Sequence, residues 1–584
     1  MSKYLELFKE SFNDSINEKT KLENKPYIGY SIEEGKVVYT IIPKETPINY
    51  FYIESLEDNN VITLDSTTWA GYGDNKSKLE YSNDAASWTS MNGVDSITIN
   101  NGERLYMRCI DGNICKDVLS IPDEEYENIM LAPLFKISTN CNIGGNINSV
   151  MFDYTYKIEE CVLSEGAFAG LFTSIDMMSG ETTNYIIDAS KLVLPATELA
   201  WGCYYGMFNG CTSLTVAPEL PATTLAVSCY EYMFKDCSFL TAAPELPATE
   251  LAENCYYSMF QDCTSLTTVP EILRATTLAV SCYSGMFSGC TSLTTAPELP
   301  AAELAEGCYA CMFEYCTSLT TAPELPVTEL ADDCYYGMFR NCSSLTTAPE
   351  LPATELASGC YMEMFCDCTS LTAAPELPAT ELAWGCYFGM FAYCTSLTTV
   401  PELPVTELAD DCYCGMFNGC TSLTVAPELP ATELTYGCYN GMFESCTSLT
   451  AAPELPATEL AEGCYSGMFK NCTSLTTAPE ILPATTLAVS CYSGMFSGCT
   501  SLTTASELPA TELAEYCYSS MFFNCTSLNY IKCLATDISA SSCTTNWVDR
   551  VASTGTFVKH PDMNNWGRGT SGIPSGWTIE NAVL

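Results

Sequence analysis

Apolar residues recur with a long, fixed period through most of the chain. The phrase CTSLTAAPELPATELAEGCYSGMFKN, residues 446–471, returns with small changes, and thirteen copies of its CYxxMF segment follow one another from Cys203 to Phe522. The step between copies is 26 residues. It is 27 at two places, where PEILRATTL (270–278) and PEILPATTL (479–487) carry one extra residue. Because both insertions fall at the same point of the repeat, that point is predicted to be a turn.

Each copy is predicted to contain a short strand and a return segment. The stretch SLTAA, residues 448–452, suits a strand, and Pro453 and Pro456 must end it because proline cannot donate to a ladder. Beyond them, apolar residues at steps of four, from Leu460 to Cys472, predict a helical or 3₁₀ return. One copy cannot bury its own apolar face, so the copies are predicted to stack as a solenoid of short parallel strands. At roughly 5 Å per coil, the stack would extend about 60 Å.

The segments that flank the repeats show other patterns. Residues 1–20 have apolar residues at helical spacing, which predicts an amphipathic helix and a candidate attachment segment. Residues 21–120 contain KVVYTII, VITL, KLEYS and SITINNGERLYMRCI, which predict a small β-sandwich. Residues 121–190 echo the repeat imperfectly in GAFAGLF and are predicted to be its N-terminal cap. The repeats are placed at 191–530, and the tryptophan-containing residues 531–584 are predicted to be the C-terminal cap.

The chain is strongly acidic. It has 23 Lys and Arg against 71 Asp and Glu, a formal net charge of −48. Such a surface repels phosphate backbones and anionic headgroups, so binding to nucleic acid is not expected. The sequence has no apolar run long enough to predict membrane insertion. Its first residues lack the apolar core of a secretory signal, so we expect no export by the usual route.

Each repeat carries two cysteines eight positions apart, such as Cys464 and Cys472. At helical spacing they would be roughly 12 Å apart, beyond the reach of a disulfide. Bridges between equivalent cysteines of successive coils are an alternative. We favour buried free thiols that act as small apolar residues and as weak donors to backbone carbonyls. Zinc is not expected, because His560 is the only histidine.

The glutamate of PEL, or of SEL at Glu507, recurs at twelve positions along the repeats and is predicted to form an acidic column. Neighbouring carboxylates about 5 Å apart in water would repel by roughly 0.8 kcal/mol per pair. The column is therefore a candidate weak cation stripe, with calcium as the one candidate cofactor, or else it is a solvated edge. Its members are Glu219, Glu245, Glu271, Glu298, Glu324, Glu350, Glu376, Glu402, Glu428, Glu454, Glu480 and Glu507.

Variation between copies is concentrated around CY and MF, and these variable positions hold many aromatic residues. A constant frame that carries variable exposed rings is typical of a binding face, because rings give contact area at small entropic cost. Neutral drift on a convex surface is the alternative. The candidate binding residues are Trp201, Tyr205, Tyr232, Tyr257, Tyr315, Tyr336, Trp384, Phe388, Tyr393, Tyr436, Tyr516 and Phe523.

The repeat CxxLTxAxxLPxTxLAxxCYxxMFxxC resembles the BspA-type leucine-rich repeat, with Phe469, Cys472 and Leu475 at the positions of that motif. It departs from the family in having Met-Phe for Ala-Phe and a slightly longer repeat, so the curvature of the stack is open. The resemblance implies adhesion or recognition proteins of bacterial surfaces and of phages of gut bacteria, and it implies no reaction. The expected fold is a leucine-rich-repeat solenoid preceded by a β-sandwich.

Two functions follow as hypotheses. The first is a phage virion protein, a tail or fibre component assembled in the host cytoplasm. Its repeats would contact a host surface glycan or protein, and its N-terminal region would bind other virion proteins. The second is a bacterial cell-surface or intracellular scaffold for protein–protein interaction. Either form could be a homo-oligomer. An enzyme is not expected, because a single histidine and the lack of a P-loop leave no familiar catalytic set, although an acidic pair stays open.

Overall fold

A computed structural model of the protein describes residues 27–33, 36–42, 50–64, 78–110, 135–151, 163–173, 184–563 and 566–583. The amphipathic helix predicted over residues 1–20 lies outside these residues. The described part contains a region of sheets and, after it, a long array of stacked repeats.

The N-terminal region is formed mainly by short strands. Its elements are β1 (Tyr27–Glu33), β2 (Lys36–Ile42), β3 (Phe51–Ser55), β4 (Asn60–Leu64), β5 (Leu79–Ser82), β6 (Thr89–Ser90), β7 (Ser96–Ile99), β8 (Arg104–Cys109), β9 (Phe135–Ile137), β10 (Cys141–Asn146), α1 (Asn148–Met151) and β11 (Ile186–Val193). Strands β1 and β2 form an antiparallel hairpin, and β7-β4-β9 form a three-stranded sheet. A six-stranded sheet has the order β11-β10-β3-β8-β5-β6.

The six-stranded sheet is mixed, because β10 pairs antiparallel with β3 and parallel with β11. Alternating residues such as Leu105 and Met107 of β8 are fully buried, and they join Phe51 and Ile62 in one core. Both sheets take strands from each side of residue 120. The segment expected as the cap therefore contributes β9, β10 and β11 to the sheets of the predicted sandwich. The strand patterns in the sequence did not reveal this pairing, because it joins residues far apart in the chain.

The strand segments of successive repeats meet in short parallel ladders. Thr321 pairs with Thr295 on one side and with Thr347 on the other, in register with the repeat. A second set of bridges joins the TEL segments, as between Glu355 and Glu381. Each ladder is only a residue or two wide, and the prolines of PELP, which have no N–H to donate, lie between the two ladders.

The return segment is not helical. Alternate N–H groups bond within the coil and to the next coil: Met207 donates to the carbonyl of Tyr204 at 3.2 Å, whereas Phe208 donates to the carbonyl of Met233 at 2.9 Å. The pattern continues through every repeat, so the return is a chain of tight turns that is also hydrogen-bonded to its neighbours. We call this segment, residues 201–210 in the first repeat and their equivalents in the others, the turn ribbon.

Every fourth residue of the turn ribbon has a left-handed backbone. In the first repeat these residues are Gly202, Gly206 and Gly210, with φ of 56°, 55° and 75°. Helical and 3₁₀ backbones need negative φ throughout, so the predicted helical or 3₁₀ return is wrong. The spacing of four in the apolar residues comes from the turns instead.

The inward side chains of the turn ribbon form continuous columns. Tyrosine rings of successive coils stack at 5.6 Å between Tyr204 and Tyr230, and the neighbouring phenylalanine rings at 5.4 Å between Phe208 and Phe234. The cysteine and methionine between these rings are fully buried in each coil. One coil has no core of its own, so adjacent coils complete one another's core.

Both ends of the array are covered by aromatic residues. At the start, Phe168 and Phe172 of GAFAGLF stack on Tyr204 and Phe208 at 5.7 and 5.4 Å. At the other end, the buried Trp547 stacks on Tyr518 at 6.2 Å. At this end three parallel strands form one sheet: β12 (Tyr530–Cys533), β13 (Thr556–Lys559) and β14 (Thr578–Asn581).

Candidate binding surface

The outward residues of the turn ribbon form a surface that we call the turn face. In each four-residue step two side chains point into the core and two point outward, so the face has six columns. In the first repeat the columns begin at Trp201, Gly202, Tyr205, Gly206, Asn209 and Gly210, whereas Cys203, Tyr204, Met207 and Phe208 are buried. The columns run at the repeat step of 26 residues.

Three of the six columns require a left-handed backbone, and this explains much of their composition. The column of Gly206 continues with Ser258, Gly285 and Gly337, and that of Gly210 with Asp236, Asp262 and Asn341, all at positive φ. Glycine, asparagine and aspartate adopt this conformation most easily. Part of the variation between repeats is therefore a choice among residues that the backbone accepts.

All twelve predicted aromatic residues lie on the turn face. The residues with the largest exposed fractions are Trp384 at 52%, Tyr436 at 52%, Tyr315 at 50%, Tyr393 at 48% and Tyr516 at 43%. The remaining ones, Trp201, Tyr205, Tyr232, Tyr257, Tyr336, Phe388 and Phe523, are half-buried. The structure thus places the candidate set on one surface, spread over many coils.

Four of these tyrosines occupy left-handed positions, where a bulky side chain is strained. Tyr232, Tyr315, Tyr393 and Tyr516 have φ of 55°, 58°, 60° and 54°. A bulky residue in this region costs of order 1 kcal/mol relative to glycine. The ring of Tyr393 also lies over Gly419 of the next coil, where an added Cβ would be 2.5 Å from its Cδ1. Glycine occupies the same columns in other repeats, so folding alone does not call for tyrosine there.

The structure brings three of the predicted residues into direct contact. The ring of Tyr232 lies edge-on to Tyr205, at 5.6 Å and 84°, and to Tyr257, at 5.5 Å and 88°. The ammonium of Lys235 lies 5.1 Å from the centre of the Tyr232 ring. We call Tyr205, Tyr232 and Tyr257 the tyrosine cluster. Trp384 instead donates a hydrogen bond to Asp411 of the next coil, and Phe523 lies under Arg550 at 5.4 Å.

Charged residues on the turn face pair between coils, a feature that the sequence reading missed. Arg340 bridges Glu314 of the preceding coil and Glu363 of the following one, at 2.6 Å from the latter. Lys470 contacts Glu444 of the preceding coil at 2.8 Å. The sequence carries a signal for two of these pairs: Glu314 and Arg340, like Glu444 and Lys470, are opposite charges one repeat apart in the same outward column.

The PEL glutamates form an exposed column, and a second acidic column accompanies it. Every residue of the predicted stripe is exposed except Glu507, which pairs with Lys532 at 2.8 Å. Five positions later in the repeat, the TEL glutamates stand in register, as Glu433 and Glu459 show through their backbone bridge. We missed this second column, although TEL is almost as regular as PEL. Within the described residues no group of three or more metal-ligating side chains forms, so calcium stays a prediction.

Every cysteine in the described part of the chain is a free thiol in this structure. The second cysteine of each repeat donates to a phenylalanine carbonyl of the preceding coil, as Cys446 does to Phe417 at 3.1 Å. Burial raises the pKa of the first cysteine, to about 12 for Cys203. Thiolate is the nucleophilic form, so we expect these buried cysteines to react slowly.

A sequence profile named BspA type Leucine rich repeat region matches residues 203–320 and 416–544, in six copies. In these two stretches the repeats match the BspA type of leucine-rich repeat. No curated protein matches the chain. The described residues contain no helix that is long and apolar enough to cross a membrane.

Solved leucine-rich repeat structures resemble the chain at low identity. One, a leucine-rich repeat protein from Bacteroides ovatus, is 17% identical with a TM-score of 0.35, over 65% of this chain and 86% of that one. A leucine rich cell surface protein from Faecalibacterium prausnitzii is 20% identical with a TM-score of 0.32, over 53% and 82%. A leucine-rich repeat protein from Eubacterium ventriosum is 12% identical with a TM-score of 0.27, over 74% and 93%. The assignment to BspA-type repeats rests on the profile and on the repeat itself.

Proposed function

We propose that this BspA-type leucine-rich repeat protein is a non-enzymatic interaction scaffold whose turn face binds a protein on a cell surface. The stacked coils would act as a solenoid that holds this face rigid, since each coil is hydrogen-bonded to the next along the whole turn ribbon. A rigid frame lowers the entropy lost on binding. No ion, cofactor or reaction is needed for this role.

The observation that carries the proposal is the presence of tyrosine at left-handed backbone positions. Tyr315 and Tyr393 are about half-exposed, and both stand where glycine occurs in other coils. Backbone strain that persists in a repeat protein is a sign of function, because the rest of the array offers an unstrained solution. Exposed tyrosine and tryptophan are also the residues that dominate binding energy in protein interfaces.

The nature of the partner follows from charge. The chain has a net charge of −48, and exposed glutamates run along the array in two columns. A partner with basic residues would associate faster and bind more tightly than a neutral one. This favours a basic protein over a glycan, and we propose the bacterial surface as the location. The virion location, the virion partners and the homo-oligomer suggested by the sequence remain predictions that no described residue favours.

The test compares two sets of substitutions in the full chain. The turn-face set is Trp384→Ala, Tyr393→Gly, Tyr436→Ala and Tyr516→Gly. The control set lies on the exposed outward side of the strand segments: Thr347→Ala, Thr399→Ala, Val425→Ala and Thr477→Ala. Binding of labelled protein to intact gut bacterial cells is measured by flow cytometry, and melting curves verify that both sets remain folded.

We expect the turn-face set to weaken cell binding at least tenfold and the control set to leave it within twofold. Protease treatment of the cells should abolish binding, whereas periodate oxidation of their glycans should not. Equal losses from the two sets, or loss after periodate alone, would contradict the proposal.

A further inference from the structure

The tyrosine cluster surrounds a glutamate of the same surface. Tyr205, Glu231 and Tyr257 occupy one outward column in three successive coils, so Glu231 stands between the two tyrosines along that column, and its charge acts on Tyr205 and Tyr232. Tyr232 comes from the adjacent column of the middle coil and contacts both rings edge-on. Glu231 is half-buried, and its carboxylate accepts a hydrogen bond from Ser228.

Glu231 differs from the other half-buried glutamates of the turn face. Glu314 and Glu363 share Arg340, and Glu444 has Lys470. In the part of the chain that the structure describes, no lysine or arginine lies within ion-pair distance of the Glu231 carboxylate. Burial of a carboxylate without a counter-charge costs free energy. A cation from a partner that pairs with Glu231 would offset this cost.

The tyrosine cluster adds a second attraction for positive charge. The face of an aromatic ring is electron-rich, and an ammonium or guanidinium group above it gains about 0.5–2 kcal/mol. Lys235 already lies 5.1 Å from the centre of the Tyr232 ring, which shows that an ammonium can approach this ring. A neutral sugar would stack on an open ring face but would not offset the buried charge.

We propose that Glu231, Tyr205, Tyr232 and Tyr257 form a subsite for a lysine or arginine side chain of the protein partner. The cation would pair with the Glu231 carboxylate while its alkyl stem packs against the rings. This assignment rests on the proposed function of the turn face, and it names the chemistry that one end of that face recognises.

The titration of Glu231 supports the assignment and gives it a pH signature. Burial raises the pKa of Glu231 to about 7, opposed only by the hydrogen bond from Ser228. The groups around it are the three tyrosines, Lys235 and Asp236, and burial raises the pKa of Asp236 as well. Below pH 7 Glu231 would be largely neutral, so cation binding at the subsite would weaken as the pH falls.

The experiment uses n-butylammonium as a lysine side-chain probe and saturation-transfer NMR on the full chain in 0.15 M sodium chloride at pH 8. Two neutral compounds, n-butanol and methyl glucoside, are tested as alternative ligands. The variants are Glu231→Gln, which keeps the shape but removes the charge, and Tyr232→Ala. Glu306→Gln is the matched control, because Glu306 is an exposed acid of the same face.

We expect Glu231→Gln and Tyr232→Ala each to weaken butylammonium binding about fivefold or more, and Glu306→Gln to leave it unchanged. Lowering the pH to 5.5 should weaken binding to the wild type but not to Glu231→Gln. The proposal is overturned if Glu231→Gln binds butylammonium as the wild type does, or if methyl glucoside binds better than butylammonium. A failure here leaves the cell-binding comparison intact, since the turn-face set contains no residue of this subsite.

Discussion

The Sγ of Cys237 donates to the backbone carbonyl of Phe208, one coil earlier, at 3.2 Å. The same carbonyl accepts the N–H of Cys211 at 3.0 Å. The second thiol of each repeat thus joins two coils without a covalent bond. Both cysteines of the repeat are therefore core residues of suitable size, and the second one also supplies a weak hydrogen-bond donor.

Native thiols should therefore be almost unreactive. Burial also raises the pKa of the second cysteine of each repeat, to about 12 for Cys472 and for Cys525. With Ellman's reagent at pH 8 and no reductant, we expect slow labelling of the native chain, mainly at the half-buried Cys311 and Cys414. In denaturant, most of the 35 cysteines should react at once. Fast native labelling, or more than about ten disulfides by mass, would contradict this reading.

Removal of one whole repeat should be tolerated. Deleting residues 446–471 joins Ser445 to Cys472, and the lost Asn471 has nearly the same backbone as Ser445, with φ of 62° and 63°. The new junction keeps every inward column in register, so the shortened chain should melt cooperatively within a few degrees of the wild type. Deleting only residues 446–458 should abolish cooperative melting. Equal behaviour of the two deletions in circular dichroism would disprove the stacked-coil arrangement.

The two acidic columns should make stability depend on salt. Glu355 and Glu381 are paired through their backbones and are exposed, so their carboxylates repel by roughly 0.8 kcal/mol in water before screening. We expect the melting temperature to rise with sodium chloride. The double variant Glu355→Gln/Glu381→Gln should be more stable than the wild type at 10 mM salt, and equal to it near 1 M. As control, Glu444→Gln removes the ion pair with Lys470 and should not stabilise at low salt.

Glu231 should lower stability at alkaline pH. Its carboxyl has a raised pKa of about 7 in the fold against an ordinary 4.5, so between these values the folded chain holds a proton that the unfolded chain has lost. The stability that the fold gains by holding this proton is complete below pH 4.5 and is lost as the pH rises through 7. Glu231→Gln should therefore gain about 1–3 kcal/mol relative to the wild type at pH 8 and little at pH 4.5. Urea unfolding at the two pH values measures this, and no difference between them would refute it.

Much of the fold follows from the sequence, and the principal error has a physical cause. The period follows from the thirteen copies, and the strand segment and the buried thiols could be predicted from the residues within a copy. The helical prediction for the return is wrong because the steps of four from Leu460 to Cys472 do not have the period of a helix. A helix turns 400° in four residues, so three such steps would carry the side chains about 120° around its axis. The strict step of four, with Gly463, Gly467 and Asn471 at every fourth position, fits repeated turns better.

The candidate surface could be predicted only as a set of residues. The variable positions named the right face, but the sequence did not show that a third of the aromatic set carries backbone strain. Nor did it place Glu231 between Tyr205 and Tyr257, although the step of 26 residues contains that information once the return is known to be a ribbon. The pairing of β10 with β3 and β11 joins distant segments, and no local pattern encodes it.

The central claim is that tyrosine stands at left-handed positions for binding and not for folding, and Tyr393 tests it most directly. Glycine accepts φ of 60° without strain, whereas alanine does not. Stability by urea unfolding and binding to intact cells are measured for Tyr393→Gly and Tyr393→Ala. The control is Tyr336, which has a negative φ on the same face and is changed to glycine and to alanine in the same way.

We predict that Tyr393→Gly is more stable than Tyr393→Ala by about 1 kcal/mol. At Tyr336 the alanine variant should be the more stable one, and both Tyr393 variants should lose binding. A Tyr393→Gly chain that binds cells as well as the wild type, or that is less stable than Tyr393→Ala, would contradict the account.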